Sequence, residues 1–126
     1  MKVESGRSKE EFFGMLAHAI TFFRLTHWNR VGNAAFSAHI ALEEVYDNLL
    51  SITDELLEST QGEEERIFEL IIPTTNGQAS PLDFAKGLIE YIRKTRKIFE
   101  HSWQQNEIDN IEKILNKLIY KLKFLK

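Results

Sequence analysis

Apolar residues recur along this chain at intervals of three and four, and hardly anywhere at intervals of two. That period marks helices with one buried face, and four segments carry it. In the first, Phe12, Leu16, Ile20, Phe23 and His27 share a face. Ser8-Lys9-Glu10-Glu11 stands ahead of them as a capping box, its serine and glutamate placed to satisfy each other's free backbone N–H groups. Gly32 is positioned to stop this helix and Asn33 to cap the next, which runs to about Thr60 with Gly62 beyond it.

The run EEERIFELII predicts a short helix ended by Pro73, and TTNGQA a loop. Ser80-Pro81-Leu82-Asp83 is a helix start, with a cap, proline at the first helical position and an acid at the third. Ala85, Leu88, Ile92, Thr95 and Phe99 line that third helix. A fourth is predicted from Asn106, with Ile108, Ile111, Leu115, Leu118, Leu122 and Leu125 on its apolar stripe. Short links join the first pair and the last pair of helices, so each pair is expected to be antiparallel. The link between them is long enough to return the chain to the other end. The expected fold is all-α: a ferritin-like four-helix bundle with a long crossover between helices 2 and 3 that carries a short extra helix. At 126 residues it forms a single domain, 1–126.

Composition narrows the chemistry. With no cysteine, disulfides and thiolate sites are excluded. The opening residues lack the apolar core of a signal peptide and no apolar run reaches membrane-spanning length, so a cytoplasmic protein without a membrane partner is expected. A formal net charge of −3 gives no general reason to expect nucleic acid.

The second helix carries the candidate site. Placed on a helix with His39 at zero, Glu43 falls at about 40°, Asp54 at about 60° and Glu58 at about 100°. Tyr46, Leu50 and Leu57 interrupt the strip, which is too apolar for a solvated face and too acidic for a buried one. His39 and Glu43 are one turn apart and suit one metal ion, as do Asp54 and Glu58. The pairs themselves lie roughly 16 Å apart along the axis. A two-fold axis resolves the spacing: bringing His39 to the partner's Glu58 also brings Glu43 to the partner's Asp54, and two identical sites close. His27, at the end of the preceding helix, is placed to add a second imidazole. Imidazole with carboxylate suits iron, manganese or zinc. Without a cation, such acids at a dry interface would cost several kcal/mol each.

These residues resemble a specific motif of the Dps family, the miniferritins known as DNA-binding proteins from starved cells. The motif reads here His27-Trp28-Asn29, Gly32, His39, Glu43, Asp54 and Glu58, without a gap. The likeness is close over the first sixty residues and architectural beyond them. It implies a ferroxidase centre between two-fold-related subunits, with His27, His39 and Glu43 from one chain and Asp54 and Glu58 from the other. It further implies Fe2+ oxidation by hydrogen peroxide or dioxygen, Fe3+ mineral stored in a homo-oligomer (a dodecamer built from two-fold dimers) and protection against oxidative damage. Zinc or manganese would fit in iron's place. Trp28 resembles the family's tryptophan beside the site, to which electron transfer is ascribed. The family usually has Asp where this chain has Glu43, and its members are usually longer.

Other features are weaker. Glu63-Glu64-Glu65 and the pair Asp109 and Glu112 are candidates for an iron-entry pore, although acidic helix starts are common. Lys113, Lys117 and Lys121 form a basic stripe that reads first as the wet face of an amphipathic helix. The N-terminal Lys2, Arg7 and Lys9 alternate with Glu4 and Glu10 and make a poor DNA anchor. His18 and His101 match no ligand pattern and are read as structural or surface residues. A di-iron site inside one bundle would need Glu-x-x-His, which does not occur. The alternative of another class is a non-catalytic ferritin-like assembly or DNA-compacting protein.

Overall fold

The computed structural model describes residues 5–29, 35–75 and 79–125. They form four helices: α1 (Ser5–Asn29), α2 (Ala35–Glu64), α3 (Pro81–Thr95) and α4 (Ser102–Phe124), with a 3-10 turn at Arg96–Ile98 between the last two. No strand occurs among the described residues. α1 packs on α2, α2 on α4 and α4 on α3, and α3 returns to α1. At one end Lys9 of α1 pairs with Glu64 of α2, and Gln104 of α4 bonds Thr60. At the other, Phe84 of α3 stacks on Phe22 of α1, with centroids 4.1 Å apart, and Lys121 of α4 pairs with Glu44 of α2. α1 and α4 therefore run one way and α2 and α3 the other, so every neighbouring pair is antiparallel. An all-α bundle of four helices agrees with the sequence reading.

Most stripe positions predicted for α1, α3 and α4 are buried, with Ile20, Thr95 and Leu122 only half-buried, and Phe13 and a row on α2 add to them. Phe12, Phe13, Leu16, Phe23, Leu42, Leu49, Leu56, Ile92, Ile108, Ile111 and Leu115 are essentially inaccessible to solvent. Burying a side chain of this size stabilises by roughly 1.5–3 kcal/mol against leaving it exposed. Leu125, expected on the fourth stripe, is exposed instead, because α4 ends at Phe124.

Four boundaries differ from expectation. α1 begins by Ser5, so Ser8 stands within the helix and not at its N-cap position. Gly32 and Asn33 fall outside the described residues. α2 continues through Gly62 to Glu64 and ends with Glu65 in the left-handed region, φ 55°. There Arg66 N–H reaches Gln61 O at 3.1 Å and Glu65 N–H reaches Gly62 O at 3.3 Å, the paired bonds of a Schellman stop. α4 starts at Ser102, four residues before Asn106, because the Gln104 side chain accepts from His101 N–H at 3.0 Å. α3 starts where read, with Ser80 Oγ accepting from Asp83 N–H at 3.2 Å and Pro81 at the first position, but it ends at Thr95, so Phe99 lies beyond it, past the 3-10 turn.

Among the described residues the short crossover helix predicted over EEERIFELII is absent. Glu63 and Glu64 are the last turn of α2, and residues 67–75 run without helical structure along α1. Their backbone groups find partners there. Phe68 N–H donates to Gln61 Oε1 at 2.8 Å, Glu69 N–H to Glu10 Oε2 at 2.9 Å, and Ile71 N–H to Glu10 O at 3.4 Å. Gly14 admits the strap: a Cβ at that position would lie 1.7 Å from Ile71 O. Phe68 anchors it in the core, its ring centroid 5.9 Å from that of Phe13.

Candidate metal centre

The last turn of a helix leaves carbonyls without intrahelical partners, and His27 lies in the last turn of α1. Its carbonyl accepts from His39 Nδ1 at 3.3 Å, while His27 Nδ1 donates to His39 O at 2.9 Å. A carbonyl can only accept, so each Nδ1 carries a hydrogen, and a neutral ring then keeps its lone pair on Nε2. The two imidazoles stack with centroids 3.8 Å apart and planes 26° from parallel. Tyr46 meets His27 edge-on at 5.4 Å, and the Arg24 guanidinium covers the Tyr46 ring at 5.0 Å.

Glu43, one turn beyond His39, completes a set whose ligand atoms lie within 4.8 Å of one another. Among the described residues no other group of three His, Asp or Glu side chains converges this closely. His27 is buried, His39 half-buried and Glu43 exposed, so the group is dry toward the bundle and open outward. An ion about 2.1 Å from each donor would hold opposite ligands about 4.2 Å apart. The upper bound of 4.8 Å on the observed spacing is slightly wider than that. Two imidazole nitrogens and one carboxylate oxygen fit iron, manganese or zinc, and the carbonyl contacts at Nδ1 hold the rings in the required tautomer.

Asp54 and Glu58 stand further along α2, exposed, and are not part of this group within the chain. Trp28 is 66% exposed on the last turn of α1. Among the described residues, the rings packed on His27 are those of His39 and Tyr46. His18 ties the crossover to α1 through Nδ1 and Pro73 O at 3.2 Å. His101 pairs with Glu63 at 3.3 Å and stacks on Trp103. The mutual histidine–carbonyl bonds and the Arg24 cover were not legible in the residue pattern, because both depend on how two helix ends meet.

Of the candidate pore acids, Glu63, Glu64, Asp109 and Glu112 have partners within the chain. Asp109 and Glu112 bind the Arg96 guanidinium at 2.6 and 3.0 Å, and Glu112 also binds Arg93 at 3.2 Å. Burial pushes the Glu64 carboxyl up, but a hydrogen bond from Lys9 and the charges of Lys9 and Arg66 outweigh it and hold the group below the usual carboxylate range. The basic stripe is not wholly wet either. Lys113, Lys117 and Lys121 line a cleft between α2 and α4, where the Lys121 hydrogen bond holds the Glu44 carboxyl low.

A family model described as a family of unknown function, DUF5856, matches residues 30–122, and the chain belongs to that family. The matched segment takes in His39, Glu43, Asp54 and Glu58 and begins three residues after His27. No match is found among curated proteins or among solved structures.

Proposed function

For this member of the DUF5856 family, we propose the function of a miniferritin that binds Fe(II), oxidises it with hydrogen peroxide and stores the ferric product within a homo-oligomer of ferritin-like subunits. The observation that carries the reading is the convergence of His27, His39 and Glu43, two tethered imidazoles and a carboxylate on the outward side of one hairpin. Asp54 and Glu58 of a two-fold-related copy complete the site. Iron is the substrate here. Each peroxide accepts one electron from each of two Fe(II) ions and, with two protons, leaves as two waters.

The chain's own residues bind and orient. His27 and His39 offer Nε2 because each Nδ1 is committed to a carbonyl. Glu43 supplies negative charge that favours the higher oxidation state. Trp28, adjacent to His27 in sequence, would meet the partner subunit at the same contact.

An anaerobic Fe(II) titration followed by a peroxide pulse tests this. The native chain is expected to give rapid ferric absorbance, and His39→Ala and Asp54→Ala much slower oxidation. Mixing the two variants is expected to restore part of the rate, because a hybrid pair holds one intact site. Equal rates in all samples would overturn the reading.

A further inference from the structure

The outer face of α2 contradicts itself. Phe36, Ile40 and Leu50 are 78%, 46% and 41% exposed, which asks for burial against something. On the same quadrant stand Glu43, Asp47, Asp54 and Glu58, all exposed. The geometry points to a second copy of this chain as the occupant. The antiparallel register that carries His39 to the partner's Glu58 also carries Phe36 to the level of the partner's Gln61. Around Gln61 lies an open hollow bounded by Glu58, Gly62, Glu65, Arg66 and Ile67, with Ile67 80% exposed and nothing within 4 Å of where a Cβ on Gly62 would stand. A projecting ring and a hollow that receives it thus sit at opposite ends of one helix face, in the register the metal ligands require.

Resting on the proposed function, we infer that a divalent cation gates this pairing. Closing the two faces brings four carboxylates from each copy onto one contact. That repulsion is relieved when divalent cations lie between Glu43 and the partner's acids. The apolar side chains then hold what the cations permit. Assembly becomes linked to metal supply: metal-free chains separate, and loaded chains pair.

Sedimentation equilibrium in chelator and then in Zn(II), a redox-inert probe, tests the inference. The expected mass is 14.7 kDa in chelator and at least twice that with one Zn(II) per chain. Asp54→Asn, on an exposed position that leaves the fold intact, is expected to need at least tenfold more Zn(II) for the same mass. Phe36→Ala is expected to need at least tenfold more protein at saturating Zn(II). One mass in both conditions, or an unchanged Zn(II) response in Asp54→Asn, would overturn the gating. A metal-independent assembly that still oxidises iron would remove this inference and leave the proposed function. Zn(II)-driven pairing without iron oxidation would do the reverse.

Discussion

A hydrogen in place of a methyl group at Gly14 decides whether the crossover can lie on α1. Gly14→Ala drives a Cβ into the Ile71 carbonyl, which is backbone and cannot rotate away. The expected cost is about 1–3 kcal/mol, seen as a lower urea midpoint, with faster amide exchange at Ile71. Gly87→Ala, mid-helix in α3 with open space around it, is expected to stabilise by about 0.5–1 kcal/mol. The two glycines look alike in the sequence, since the atom that separates them lies 57 residues away in the chain. Glu107 makes a third residue-scale case. Burial pushes its carboxyl up, the neighbouring Glu55 adds to the effect, and its Oε1 is buried without a partner. A raised carboxyl favours the folded state most below the unfolded value, and that advantage is lost as pH rises through the folded value. Glu107→Gln is therefore expected to raise the urea midpoint at pH 7, by roughly 0.5 kcal/mol in stability, with the gain fading as pH falls toward about 4.

Among the elements, the helices were legible and their ends less so. Period and stripe identify α1 to α4 because burial on one face requires them. The crossover departs from expectation because EEERIFELII has helical composition, yet its first residues extend α2 and the rest bonds to Gln61 and Glu10. Tertiary partners outbid a weak local propensity. The turn between α3 and α4 depends on Arg96, whose guanidinium binds Gln105, Asp109 and Glu112. Arg96→Ala is expected to destabilise by about 1–3 kcal/mol by urea unfolding. Arg96→Lys should recover less than half of that loss, because an ammonium cannot reach three partners on a planar fork.

For the whole molecule, the sequence spoke most clearly where a short link joins neighbours. His27 and His39 are twelve residues apart and meet through one hairpin, so their convergence with Glu43 could be read from spacing. Asp54 and Glu58 have their predicted partners on another copy, and a single chain does not display them. Metal addition gives a molecule-wide prediction. Zn(II) at a hundredfold excess over its dissociation constant is expected to stabilise the fold by about 2.7 kcal/mol, reversed by chelator and absent in His39→Ala.

The crossed bonds between the two histidines and each other's carbonyls also bear on speed. Both rings are oriented by the hairpin before any ion arrives, so loading demands no refolding of the chain. The slow step in loading the three ligands of one chain is then the shedding of water from the incoming ion, and the first stopped-flow phase should follow each metal's own water-exchange rate.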